Sequence, residues 1–198
     1  MRPSLAVGTL LLLAAVPAHA TLLEFHAGLH LGGATGTGVG GDQKDNDFFA
    51  GAKGGVYGGS VGLKVLFMDF TIEHDQLTDF SELKGTWTQF MLGPHLAFAL
   101  SGPGGKLYAD LGFAAGFGVG TGQQIDPPLD NAQISDKGFM LELRAGVEYR
   151  ISPVFGLGVS VPAAWGYMFK NDVVNDTSNH YQTFRTMIVG TATLHLGF

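Results

Sequence analysis

The chain has 198 residues, 17 acidic against 11 basic side chains for a net charge of −6, and no cysteine. That length suits one domain, the absence of thiols excludes disulfide scaffolds and thiolate metal sites, and the acidic balance argues against a nucleic-acid partner. Its 31 Gly and 15 Phe favour short, turn-rich β-structure over helices.

Residues 1–20 read as a secretory signal peptide. Arg2 supplies the positive start, residues 5–16 the apolar core, and Ala18-His19-Ala20 a small-x-small cleavage site. The apolar run is short for a membrane helix of ~20 residues, and Pro17 follows it directly. The mature chain is therefore expected to run over residues 21–198 as one domain. No later apolar run is long enough for a helix to cross a bilayer. An envelope protein built this way is either soluble and periplasmic or a closed β-barrel.

Eight segments of period-2 alternation follow, at residues 23–34, 55–66, 68–77, 86–100, 107–119, 138–150, 155–167 and 181–198. The connections alternate in kind as well. Residues 35–53, 78–85, 120–137 and 168–180 are long, polar and acidic, whereas the connections near Phe67, at 101–106 and at 151–154 are short. In the sixth segment Phe139, Leu141, Leu143, Ala145, Val147 and Tyr149 share one face, and Met140, Glu142, Arg144, Gly146, Glu148 and Arg150 the other.

With every apolar face placed outward, Glu24, Lys64, Asp69, Glu73, Asp75, Asp110, Glu142, Arg144, Glu148, Arg150 and Arg185 all fall on the inward side. The remaining charged residues of the mature chain are expected in loops or turns. The inward face is also rich in glycine, which suits a crowded lumen better than the solvated outer wall of a soluble barrel. Pro94 and Pro162 each remove a ladder donor and are expected at bulges.

The last segment carries Phe184, Thr186, Ile188, Gly190, Ala192, Leu194, Leu196 and Phe198 on one face. A final strand ending on Phe198, with Leu194 and Leu196 at alternate upstream positions, resembles the assembly signal of Gram-negative outer-membrane barrels. Together with the strand count and the loop asymmetry, the mature chain resembles the small eight-stranded OmpA/OmpX-type barrels, with OmpW-like barrels close in shape. The resemblance implies an all-β, antiparallel up-and-down transmembrane barrel of eight strands in the outer membrane. Its partners would be outer-membrane lipid, lipopolysaccharide and the barrel-assembly machinery, and the protein would be monomeric. Aromatic girdles are expected at Phe25, Phe98, Tyr149, Phe155 and Phe198 near the periplasm, and at Tyr57, Phe139, Trp165 and Tyr167 near the outside.

The inward charges are expected to form a salt-bridge network that fills the lumen, since an eight-stranded barrel has room for little else. His26, His95 and His195 project inward near the periplasmic ends, with His30 one layer higher. With Glu24 they form a candidate divalent-metal group, against which stands their absorption into the ionic network. Asp176, Ser178 and His180 share a loop without a catalytic spacing, so no catalytic, cofactor or metal site is expected. The expected role is non-enzymatic, structural or surface-directed through four long acidic loops. The alternative is a narrow channel for small or hydrophobic solutes, and a third reading is an enzyme acting on outer-leaflet lipid.

Overall fold

A computed structural model describes residues 23–39, 52–78, 84–102, 104–123, 133–169 and 180–196. Eight strands follow one another: β1 (Leu23–Val39), β2 (Ala52–Val65), β3 (Met68–Thr78), β4 (Lys84–Ala99), β5 (Leu107–Gln123), β6 (Gln133–Ser152), β7 (Phe155–Phe169) and β8 (His180–Leu196). Each pairs antiparallel with its neighbours, and β8 returns to β1, so the sheet closes on itself. Closure leaves no strand edge unpaired, the condition a sheet must meet to sit in hydrocarbon. The signal segment and Phe198 lie outside the described residues.

One end of the barrel carries three short turns. The β2–β3 turn has only Leu66 and Phe67 between its strands, and Leu66 adopts a left-handed φ of 57° to make it. The β4–β5 turn places Gly102 and Gly104 at φ of 80° and 78°, where a side chain would be strained. The long connections leave from the opposite end.

Polarity is reversed relative to a soluble protein. Leu29, Leu31, Val61, Phe139, Leu143 and Ile188 are among the apolar residues exposed on the outer wall, while Glu73, Asp75, Gln89, Glu142 and Arg185 are buried inside. All the inward charges that alternation assigns are on the inner wall. The described members of the two predicted girdles are on the outer wall too, with Phe98, Trp165 and Tyr167 half-buried. Phe25, Tyr149 and Phe155 are exposed towards the short-turn end, and Tyr57 and Phe139 towards the other.

Two expectations change. Neither proline makes a bulge. Pro94 stays in register opposite Met68, and on its other side the pairs Leu92–Ala115 and His95–Gly112 keep one register across it. Pro162 likewise stays opposite Arg144, between the pairs Ser160–Val189 and Ala163–Thr186. The missing N–H is absorbed by dropping ladder bonds on one side, with no extra residue inserted, so the inside–outside alternation passes through unchanged. Beside Pro94 the strands crowd so closely that a Cβ on Gly93 would strike the carbonyl oxygen of Phe113. The register shift lies instead between Arg150 and Ser152.

The second change concerns strand length. Lys53, Lys84, Asp136 and Lys137, expected in loops, belong to β2, β4 and β6. Backbone ladder bonds continue beyond the apolar belt, where hydrocarbon no longer selects the outward side chains and alternation fades from the sequence. Lys137 is exposed on the same face as Phe139.

Candidate functional site

The groups that carry chemistry are gathered in the lumen, in connected clusters stacked from one end to the other. Nearest the short turns, His195 bridges Glu24 (Nδ1 to Oε1, 2.9 Å) and Glu148 (Nε2 to Oε1, 3.0 Å). Arg150 donates from Nε to the same Glu148 oxygen at 3.1 Å, and its guanidinium lies 4.0 Å from the centre of the Tyr108 ring. Just above, Lys64 donates to Asp110 Oδ2 at 2.9 Å, and His95 contacts that oxygen at 2.8 Å. His26 pairs with Asp69 at 2.8 Å.

Arg144 is the hub of the middle. Its Nη2 reaches Glu142 Oε1 at 2.7 Å and Glu73 Oε1 at 3.1 Å, and its Nη1 lies 3.8 Å from Asp69 Oδ2. Read along β6 alone, Glu142, Arg144 and Glu148 form one group. In space, the partners of Glu148 are Arg150 and His195, while Arg144 faces Glu73 on β3.

Towards the long-loop end, Arg185 donates to Asp75 Oδ2 at 2.7 Å and to Gln89 Oε1 at 2.5 Å. Gln89 donates in turn to Glu73 Oε2 at 2.6 Å and accepts from Trp87 Nε1 at 3.1 Å. His30 contacts Asp75 through Nδ1 at 2.8 Å and Ser60 through Nε2 at 2.9 Å. Buried apolar side chains close over this part, with Ala34, Val56, Leu77 and Trp87 towards the long-loop ends of β1 to β4. Met140, Met168 and Met187 come from the other wall.

The candidate metal group is not assembled, and its histidines join the ionic network instead. His26, His95 and His195 point to separate carboxylates, His26 to Asp69, His95 to Asp110, and His195 to both Glu24 and Glu148. Among the described residues, one set brings three metal-type donors together, His30, Glu73 and Asp75, with ligand atoms within 4.8 Å of one another. The two carboxylates are engaged by Arg185, Arg144 and Gln89, and the His30 ring by Asp75 and Ser60, so guanidinium groups supply the positive charge there and the set does not fit a metal. This second grouping joins β1 and β3 across β2, which a single strand's pattern does not print.

Among the described residues, some buried polar atoms have no partner, namely Asp110 Oδ1, Glu142 Oε2, Ser160 Oγ and Arg185 Nε. Asp110 and Ser160 line one small polar cavity with Lys64, Arg144 and Glu148, and Asp110 and Glu142 line a second with Asp69 and Arg144. Leu194 is exposed on the outer wall and Leu196 half-buried there. Asp176 and Ser178 lie outside the described residues, and His180 opens β8.

No protein-family model matches the sequence, and no curated protein is significantly similar to it. Solved structures do match in shape. Neisserial surface protein A superposes with a TM-score of 0.50 at 13% identity, covering 88% of this chain and 97% of that one. The N-terminal barrel of Pseudomonas aeruginosa OprF (TM-score 0.45, 14% identity, 86% and 96% covered) and the outer-membrane protein OprG of the same species (0.49, 10%, 90% and 98%) are also similar. The fold is that of the small outer-membrane barrels. At this level of identity the likeness to the neisserial barrel extends to the fold alone, including its eight-strand closure.

Proposed function

We propose that the protein is an integral, non-enzymatic component of the Gram-negative outer membrane, with a structural or surface-interaction role through its four long acidic loops. One observation carries the reading. A closed barrel exposes Leu29, Leu31, Leu143 and Ile188 outward while ion pairs fill its interior, an arrangement that water would oppose and hydrocarbon favours. The lumen supports the non-enzymatic part, because its acids, bases and histidines are directed at one another. The narrow-conduit reading has less behind it. Met91, Met140, Met187, Glu73 and Arg185 are almost fully buried inside, leaving side chains where a solute would pass.

Single cysteines at Leu143, Glu142 and Lys137 test this, because the chain has no cysteine of its own. In intact cells an impermeant maleimide should label Lys137→Cys quickly and Leu143→Cys hardly at all, since hydrocarbon denies the thiolate its water. Glu142→Cys should stay slow even after the cells are opened. Fast labelling at position 143 would place that face in water and end the membrane reading. Planar-bilayer recording addresses the conduit, where steady unit conductance from the purified protein would favour it over the structural role.

A further inference from the structure

The outer wall is not uniform at the level of its upper girdle. On β5 to β7 it is aromatic. Phe117 meets Phe139 edge-on at 6.2 Å, Phe139 meets Phe169 at 6.0 Å, and Tyr167 meets Phe169 at 5.4 Å. Towards the long-loop ends of β2 to β5 the outward residues are instead Tyr57, Gln76, Thr86 and Thr121, directly opposite one another from strand to strand. The Tyr57 hydroxyl donates to Gln76 Oε1, and Thr86 and Thr121 share a hydrogen bond of 2.9 Å. One step nearer mid-barrel, His74 Nδ1 contacts the Thr88 hydroxyl at 2.8 Å. These side chains point away from the barrel, where hydrocarbon would leave their remaining donors and acceptors unsolvated.

Charge on this wall has one sign. Among the described residues the outward face carries no carboxylate. Among the strand residues with described side chains, its ionisable nitrogen groups are His74, at one edge of the polar row, and Lys137, which lies diagonal to Thr121 at the other. The seven inward acids thus contrast with an outer rim that offers hydroxyls, an amide, an imidazole and an ammonium. Three strand spacings separate β3 from β6, so His74 and Lys137 stand about 15 Å apart around the wall.

We propose that the β2–β6 face at this level is a binding site for the phosphorylated sugar headgroup of an outer-leaflet glycolipid, with lipopolysaccharide as the occupant. The row Tyr57, Gln76, Thr86 and Thr121 meets sugar hydroxyls, and His74 and Lys137 meet phosphate. Acyl chains then run down the apolar wall below, past Ile72, Phe90 and Leu92. The site rests on the outer-membrane reading, and it goes further in naming which flank takes lipid and through which groups. Phospholipid headgroups share the phosphate and lack the array of sugar hydroxyls, so the test separates the two.

Wild type and the double variant His74→Asn/Lys137→Gln are refolded into phosphatidylcholine vesicles containing lipopolysaccharide. Folded barrel is scored by its gel shift, and lipid retained after extraction into detergent is counted by native mass spectrometry. The altered side chains are exposed, so both proteins should fold alike. The double variant should retain about three- to tenfold less lipopolysaccharide, the scale of two exposed charge contacts. Gln76→Leu/Thr86→Val should lose a similar amount, and dephosphorylated lipopolysaccharide should bind wild type and the charge variant equally. Equal retention of intact lipopolysaccharide by wild type and both variants would overturn the site. Equal retention of phosphatidylglycerol and lipopolysaccharide by wild type would overturn its glycolipid identity. Wild type that refolds but stays outside the vesicles would overturn the membrane reading, and the site with it.

Discussion

The two halves of the lumen hold the same kinds of residue in different surroundings. Towards the long loops, Glu73 and Asp75 have fully buried side chains, and those of His30 and Arg185 are 1% and 4% exposed, beneath a cover of methionine and tryptophan. Towards the short turns, Glu24 and Glu148 are 11% exposed, Arg150 15% and Asp110 20%. Desolvating a charge is expensive, and mutual attraction repays it only when each group keeps its partners. The dry half should therefore fail abruptly when one partner is removed, while the wetter half lets water take the partner's place. A shared salt-bridge chemistry does not imply a shared energetic weight.

Removing one arginine from each half gives the largest contrast. Arg185→Leu takes from Asp75 its only guanidinium among the described residues, leaving it His30 in a dry interior, and should cost about 3–5 kcal/mol. Arg150→Leu leaves Glu148 with His195 and with water within reach, and should cost about 1 kcal/mol. Urea titrations of protein refolded into lipid vesicles measure both. Equal losses would break the distinction between the halves.

Arg144, at the boundary, sharpens the comparison. Its loss leaves Glu142, Glu73 and Asp69 without their shared cation, so Arg144→Leu should cost about 3 kcal/mol or more. Replacing Glu73, Glu142 and Arg144 together by Gln, Gln and Met removes two of the stranded charges along with the cation. That triple variant should unfold at a higher urea concentration than the single one. A triple variant less stable than Arg144→Leu would show that the ion pairs add net stability beyond avoiding orphan charge.

Much of this was legible in the sequence. Alternation alone places Glu142 inward and Leu143 outward, because period 2 is a property of one strand and needs no partner. It also puts every member of the lumen network on the correct wall. What alternation cannot supply is who meets whom. His30 lies on β1 and Asp75 on β3, with β2 between them, and they meet through barrel stagger and side-chain reach rather than sequence spacing. For that reason alternation leaves open whether the three lower histidines meet one another or separate carboxylates, and they take separate ones. The strand ends were hidden for a related reason. Lys137 sits above the apolar belt, where a charged outward side chain costs nothing and the pattern stops reporting the ladder. The polar row on β2 to β5 was missed because Tyr57 reads as a girdle aromatic until its hydroxyl is seen on Gln76.

The smallest effects come from two glycines on one strand, and they probe packing without touching a charge. Gly116 of β5 lies in the tight upper part, where an added Cβ would strike the Phe90 carbonyl oxygen and come within 2.7 Å of Met91 Sδ. Gly112, four residues nearer the short turns, lines the cavity beside Arg144. A Cβ there would have Arg144 Cβ at 3.7 Å and the Pro94 carbonyl oxygen at 3.9 Å as its nearest neighbours. Backbone cannot retreat from the first clash without opening the ladder, so Gly116→Ala should cost about 1–3 kcal/mol. At Gly112 the added methyl makes ordinary contacts, and its backbone φ lies outside the left-handed region. Reduced freedom of the unfolded chain then favours the variant, and Gly112→Ala should be neutral or up to about 1 kcal/mol more stable. Both substitutions keep the net charge, so refolding midpoints in urea compare them directly. A loss at Gly112 equal to that at Gly116 would mean the short-turn half is packed as tightly as the other, and that exposure of its ion pairs comes from nearness to the barrel mouth alone.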